Sequence, residues 1–88
     1  GDLREKQARY EFEIGRFSYK KKAYPAAIAR FQNALEKTGG GEARERTLYY
    51  MGVSHYQSGN REKAEEVFQS LRREYPNSSY VRQNKIPL

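Results

Sequence analysis

The sequence predicts an all-α fold built from two similar helical hairpins. Apolar residues recur at intervals of three and four, the periodicity of one helix face, and no stretch alternates like a strand. Three landmarks also recur at one offset of 37 residues, which indicates a duplicated hairpin. The landmark pairs are Gly15 and Gly52, Ala27 and Ala64, and Phe31 and Phe68. Small residues let helices approach closely, and phenylalanine fills the shared core.

The first helix is predicted over about Leu3 to Lys22. Asp2 and Glu5 stand three residues apart and form a capping box at its start. The lysine run at 20–22 suits a solvated helix end, because the macrodipole favours cations there. The apolar positions of this helix are Tyr10, Ile14 and Phe17.

The second helix is predicted to begin at Pro25, since proline is tolerated at a first helical position. Its apolar stripe consists of Ile28, Phe31, Ala34 and Leu35. Thr38 and the three glycines at 39–41 end it as a C-cap and flexible loop. A phosphate-binding loop is disfavoured there, because a Lys-Ser or Lys-Thr pair and a preceding strand are both missing.

Two long helices and a short one are predicted for the rest of the chain. The third runs from about Glu42 to Gln57, and Asn60 is the N-cap of the fourth. The apolar positions of the fourth are Ala64, Val67, Phe68 and Leu71. The Tyr-Pro-Asn-Ser stretch at 75–78 stops it, and a short fifth helix spans about residues 80–84.

The net charge is +6, from 17 Lys and Arg against 11 Asp and Glu. Nucleic acid, anionic lipid and acidic proteins are all partners that such a charge can attract. Acidic residues are interspersed among the basic ones, so nucleic-acid binding is the less favoured class. A mobility shift with an oligonucleotide at low salt tests nucleic-acid binding directly, because absence of binding under those conditions excludes this class of partner.

Catalysis is not indicated, and we expect no cofactor and no metal site. Cysteine is absent and His55 is the single histidine, which excludes thiolate and two-histidine metal sites. We interpret His55 as a partly buried packing residue. The adjacent Glu65 and Glu66 point about 100° apart on a helix, so a solvated face explains them better than an acid–base pair.

The spacing of Gly, Ala, Phe and Pro resembles the tetratricopeptide repeat. The resemblance implies a single domain over 1–88, a short right-handed α-solenoid with repeats over about 3–41 and 42–78 and a tail over 79–88. Three positions depart from the family pattern: Lys22 stands for the turn glycine, Gly39 for the closing proline and Leu71 for a small residue.

A closer resemblance is to the last two repeats of the BamD (ComL-type) outer-membrane assembly lipoproteins. It is carried by the extended first helix, the Tyr-Pro-Ala-Ala-Ile-Ala-Arg-Phe run at 24–31 and the Tyr-Pro-Asn-Ser closure at 75–78. It implies a periplasmic scaffold that helps to assemble β-barrel proteins and docks on the POTRA region of the barrel-forming subunit. An upstream lipid anchor would tether it to the outer membrane, and we expect this chain to be a fragment. Other periplasmic repeat adaptors, such as the Tol-associated CpoB type, share the Tyr-Pro endings.

In this family the first helix of each repeat lines a concave groove, which implies a set of partner-binding residues. That set is Arg9, Phe12, Arg16, Tyr19, Lys20, Arg46, Tyr49, Val53 and Tyr56. Basic side chains among aromatic ones suit an extended peptide, such as an aromatic-rich segment of an unfolded outer-membrane protein. The carboxylate clamp of cytosolic co-chaperones is disfavoured, because Phe12, Arg16 and Tyr50 stand at its positions.

Arg30 is the residue expected to dock on the POTRA region. It lies in the run that carries the resemblance, one position before Phe31, and should therefore point to the surface. A free surface arginine could grip a partner carboxylate through two parallel hydrogen bonds, and its loss should leave stability nearly unchanged.

Two stacked repeats should also expose both ends of the stack, which predicts marginal stability or dimerisation.

Overall fold

The computed structural model describes residues 3–88. These residues form five helices joined by short turns. Their bounds are α1 Leu3–Lys20, α2 Tyr24–Lys37, α3 Gly41–Gln57, α4 Arg61–Glu74 and α5 Ser79–Arg82. The described range contains no strand, so the all-α prediction is confirmed. Each long helix packs against the next one along the chain, as in a helical solenoid. None of the helices within residues 3–88 has both the length and the apolar character to cross a membrane.

Some predicted helix boundaries differ from the observed ones by one or two residues, and backbone geometry explains two differences at helix C-termini. Helix α1 ends before Lys22, and α5 ends before Asn84, because these residues have φ angles of 63° and 57°, outside the helical range. Gly59, the equivalent of Lys22 in the second hairpin, has φ 89°. Lys22 therefore makes the left-handed turn that glycine makes without steric cost.

Polar side chains fix two helix starts. Asn60 caps α4 as predicted, accepting a hydrogen bond from the backbone N–H of Lys63 at 3.4 Å. Asp2, half of the predicted capping box, lies outside the described residues. Glu5 accepts hydrogen bonds from the Thr38 hydroxyl at 3.1 Å and from the Gly39 N–H at 2.6 Å. The start of α1 is thereby tied to the loop that follows α2.

One glycine in each hairpin allows the two helices to approach so closely that a phenylalanine ring of one helix touches the backbone of the other. A Cβ atom on Gly15 would lie 2.7 Å from Phe31 Cε1, and one on Gly52 would lie 2.5 Å from Phe68 Cε1. Both rings are fully buried, and each burial stabilises the fold by about 1.5–3 kcal/mol. The repeated Gly–Phe spacing is therefore a repeated steric fit.

The buried side chains form two clusters. The first, between α1, α2 and α3, contains Phe12, Ala27, Phe31, Ala34 and Met51. The second, around α3 and α4, contains Leu48, Val53, Ala64, Phe68, Leu71 and Ile86. Partly buried Tyr19, Leu35 and Val67 pack against both clusters, so the two hairpins share one continuous core.

The C-terminal tail covers the end of the second hairpin. Ile86 is 7% exposed, and the Tyr80 ring stacks on Tyr49 with centroids 4.0 Å apart and planes 4° from parallel. Arg72 donates a hydrogen bond to the Leu88 carbonyl at 2.9 Å. The expectation that both ends of the stack are open is therefore wrong at the C-terminal end.

We expect Gly52→Ala to destabilise the protein, although alanine forms helices better than glycine by about 1 kcal/mol. The added methyl group would overlap the Phe68 ring, and overpacking of this kind costs about 1–3 kcal/mol. Thermal unfolding should show a melting temperature several degrees below that of the wild type. In a Phe68→Leu background the same change should cost less or stabilise. An equal loss in both backgrounds would contradict the proposed fit.

Candidate protein-binding groove

Helices α1 and α3 carry a continuous row of aromatic rings that extends to the start of the tail. This aromatic row consists of Phe12, Tyr19, Tyr49, Tyr50 and Tyr80. The centroid of Tyr50 lies 5.7 Å from that of Phe12 and 5.5 Å from that of Tyr19. It lies 5.2 Å from that of Tyr49, which in turn stacks on Tyr80. The near-perpendicular pairs are those that Tyr50 makes with Phe12, Tyr19 and Tyr49. Such pairs contribute about 0.5–1.5 kcal/mol each beyond area burial.

The predicted groove residues lie at three different depths. Arg9 and Lys20 are exposed. Phe12 and Val53 are each 6% exposed, so both side chains pack mainly in the core, although Phe12 also lines the cleft described next. The half-buried residues of the set are Arg16, Tyr19, Arg46, Tyr49 and Tyr56. The half-buried residues therefore combine a ring or guanidinium held by the fold with an accessible edge.

A cleft of about 220 Å³ opens between α3 and the N-terminal half of α1. Arg9 and Arg46, which occupy equivalent positions in the two hairpins, both line it. The Arg46 guanidinium carbon lies 4.9 Å from the Phe12 ring centroid, a cation–π contact. The carboxylates in the lining are Glu5, Glu13 and Glu42. A ligand in this cleft therefore meets both signs of charge beside an aromatic wall.

Arg16 lies over the centre of the aromatic row. Its guanidinium carbon is 5.8 Å from the Tyr50 ring centroid, and its Nε is buried without a hydrogen-bond partner among the described residues. A buried donor without an acceptor is unfavourable. A bound carbonyl or carboxylate that reached this nitrogen would remove that cost.

Burial is the main cause that raises the pKa of three tyrosines of the row, Tyr19, Tyr49 and Tyr80, above the ordinary tyrosine value. These groups are therefore neutral hydrogen-bond donors near neutral pH. The Tyr49 hydroxyl already donates to the Lys85 carbonyl at 3.4 Å.

His55 is a half-buried packing residue, as expected from the sequence. Desolvation is the main cause that lowers its pKa, with a contribution from the nearby Lys63 charge. Its Nδ1 is buried without a hydrogen-bond partner in the described part of the chain. No group of three or more acidic or histidine side chains in residues 3–88 could hold a metal ion.

Arg30 is partly exposed, as expected, but its guanidinium is not free. Its Nη1 lies 3.1 Å from Oε1 of Glu11, whose side chain is 10% exposed. Asn33 donates to the same oxygen at 3.4 Å, and Lys37 Nζ lies 3.4 Å from the other one. The hydrogen bond from Arg30 is the main cause that lowers the pKa of Glu11. Arg30 thus grips a carboxylate of its own chain, so we now expect its loss to cost some stability, unlike the loss of a free surface arginine.

Tyr50 and Tyr80 are the two members of the aromatic row that were not in the predicted partner-binding set. Tyr50 is equivalent to Glu13 under the 37-residue offset, so the repeat pattern assigns it no aromatic role. Tyr80 joins the row only because the tail folds back on α3, which depends on long-range contacts. The run of two tyrosines at 49 and 50 was the available sequence signal.

Residues 46–78, which span the second hairpin, match the family model described as Tetratricopeptide repeat. The match covers 33 of the 88 residues, so the likeness to this repeat concerns the second hairpin. The predicted bounds of the second repeat, about 42–78, stay a prediction. Tetratricopeptide repeats generally mediate protein–protein interaction. No curated protein and no solved structure matches the chain.

We expect Glu11→Gln to flatten the acid dependence of stability. Since the pKa of Glu11 is lower in the folded than in the unfolded state, its ion pairs stabilise the fold above the ordinary carboxyl pKa of 4.5. That stabilisation is lost as the pH falls through the lowered pKa. Denaturant unfolding between about pH 6 and about pH 3 should therefore show a smaller loss for the variant than for the wild type.

Glu13→Gln, which removes an exposed carboxyl from the same helix, is the matched control for this experiment. It should keep the wild-type pH profile. Identical profiles for Glu11→Gln and the wild type would show that the Arg30 pair does not contribute to stability.

Proposed function

We propose that the chain is a non-catalytic protein-binding module whose α1–α3 surface holds an extended peptide with aromatic and charged side chains. The observation that carries this proposal is the aromatic row, with Arg16 lying over Tyr50 and Arg46 over Phe12. The tetratricopeptide repeat supports it, because repeats of this class present such surfaces to partner proteins.

The chemistry of the surface selects the kind of peptide. Ring edges of half-buried tyrosines bind aromatic side chains at low conformational cost, because the tyrosines are already held by one another. Arginines that lie over these rings can bind a carboxylate while keeping their cation–π contacts. The acidic lining of the 220 Å³ cleft favours a basic residue or a free amine nearby. An aromatic-rich segment of an unfolded outer-membrane protein has the matching composition.

We further propose that the chain acts in outer-membrane β-barrel assembly, on the periplasmic side, and docks on the POTRA region of the barrel-forming subunit. The order of its motifs supports this, through the resemblance to the BamD (ComL-type) lipoproteins. Arg30 would take part as a bridging residue: its side chain is 43% exposed, so a partner carboxylate can approach it while it holds Glu11.

The test is titration of two purified ligands, a POTRA fragment and a synthetic aromatic-rich strand of a barrel protein. Arg9→Ala/Arg46→Ala should weaken peptide binding by about tenfold or more, as expected for central interface arginines. Arg73→Ala changes an exposed arginine on α4 and should leave both affinities unchanged. Circular dichroism of each variant checks that the helices are retained.

The charge swap Glu11→Arg/Arg30→Glu separates docking from stability. It restores one ion pair between α1 and α2 and reverses the charge displayed on α2. Because it also places the new arginine beside Lys37, thermal unfolding must first show that the variant stays folded. It should weaken the POTRA complex by about tenfold or more while leaving peptide binding intact. Equal POTRA affinities would remove Arg30 from the interface. Absence of wild-type binding to either ligand would overturn the proposed function.

A further inference from the structure

Most of the net charge of the chain is concentrated around two turns. The turn between α1 and α2 and the turn between α3 and α4 are equivalent under the 37-residue offset. The nine-residue segments centred on them, 18–26 and 55–63, contain five basic residues and one acidic residue, Glu62. The rest of the chain holds the other 12 of the 17 basic and 10 of the 11 acidic residues, so these segments supply four of the six net charges. The five basic residues, called the basic end below, are Lys20, Lys21, Lys22, Arg61 and Lys63.

The two turns lie side by side at one end of the hairpins. Pro25 in the first turn of α2, His55 near the end of α3 and Lys63 in the first turn of α4 line one surface hollow. The Tyr19 and Tyr24 rings, which stand before and after the first turn, have centroids 6.0 Å apart. A broad partner can therefore contact both turns at once.

The charges of the basic end are not neutralised by the fold. All five side chains are exposed, and within residues 3–88 none of them forms an ion pair. Lys21 Nζ lies 4.9 Å from the Phe17 ring centroid, and the Arg61 guanidinium carbon lies 5.0 Å from that of Tyr56. Contact with a ring leaves the charge of a cation in place, so the basic end presents a positive surface to solvent.

The opposite end of the molecule is electrically balanced. The equivalent segments around the loops that follow α2 and α4, 36–44 and 73–81, contain three basic and three acidic residues. Arg44 and Glu74 form an ion pair there, with Nε and Oε1 2.7 Å apart. An anionic surface would therefore attract the molecule by the basic end and orient it.

The composition of the basic end indicates the kind of anionic surface. Four of its five cations are lysines, whose compact charge needs no fixed hydrogen-bonding geometry, unlike the planar fork of arginine. The lysines at 20–22 are followed by a non-polar tip, in which Ala23, Pro25 and Ala26 are exposed and Tyr24 is half-buried. Lysines beside small apolar residues and a tyrosine suit the boundary between lipid headgroups and acyl chains.

We propose that the basic end docks on the surface of an anionic phospholipid bilayer, with its cations among the headgroups and residues 23–26 at the interface. This surface is separate from the α1–α3 groove, and the inference does not rest on the proposed function. Each cation near an anionic membrane strengthens binding about fivefold. Salt should weaken the binding, because it screens these charges.

Co-sedimentation tests the docking, with vesicles of phosphatidylcholine that contain about 30% phosphatidylglycerol, at about 0.1 M salt. The wild type should bind these vesicles and should not bind phosphatidylcholine alone. Lys21→Gln/Lys63→Gln removes one cation from each turn and should weaken binding about 25-fold.

Lys6→Gln/Arg73→Gln is the matched control, because it removes two exposed cations elsewhere and gives the same net charge. The two positions lie about 20 Å from the basic end along α1 and α4, beyond the screening length of about 10 Å. This variant should bind like the wild type. Circular dichroism should show that both variants stay folded, because the substituted side chains are exposed.

A fluorescence test then separates a membrane from other polyanions. The chain has no tryptophan, so Ala23→Trp introduces a single one at the non-polar tip. Its emission should shift to shorter wavelength with the anionic vesicles, and should not shift with an oligonucleotide or polyglutamate at equal charge. Asn77→Trp, at an exposed site in the loop after α4, should show no shift with the vesicles.

Three results would overturn the proposal. The first is a wild type that does not bind the anionic vesicles. The second is an equal loss of binding in the two double variants, which would show attraction by net charge alone. The third is an oligonucleotide or polyglutamate that binds as tightly as the vesicles, with no emission shift for Ala23→Trp on the vesicles, which would make the basic end a general polyanion surface.

Discussion

The structure depends on the contact between a helix glycine and a phenylalanine ring, made once in each hairpin. Gly15 meets Phe31 and Gly52 meets Phe68, at distances that leave no room for a side chain. This contact brings the two helices of a hairpin closer than other residue types would permit. Both rings are fully buried and lie at the centre of the two core clusters.

The binding surface is a consequence of the same core. The ring centroid of Phe12 lies 5.7 Å from that of Phe31 and 5.7 Å from that of Tyr50. The aromatic row is therefore the outward continuation of the buried packing. Rings held in this way lose little further freedom when a peptide binds. The ion pairs of Glu11 with Arg30 and Lys37 add a polar tie between α1 and α2. Stability and recognition therefore use overlapping sets of residues, and variants must separate the two effects.

Local sequence signals predicted most of the fold. The apolar periodicity, the 37-residue offset and the Asn60 cap depend on near neighbours or on repetition, both of which can be read from the chain. The end of α1 was misplaced because lysine gives no sign of the left-handed conformation that Lys22 adopts. Features that depend on distant contacts were missed. The tail over α3 and the Arg30–Glu11 pair join residues far apart in sequence, and no local pattern specifies them.

Native-state hydrogen exchange of the wild type tests most directly whether one core joins both hairpins. The amides of α2 around Phe31 and those of α4 around Phe68 should exchange only through a shared opening, with equal opening free energies. This is expected because the Phe12, Phe31 and Tyr50 rings connect the hairpins. If the amides of α1 and α2 exchanged through a separate opening of lower free energy while α3 and α4 stayed protected, the hairpins would be independent units. That result would contradict the account.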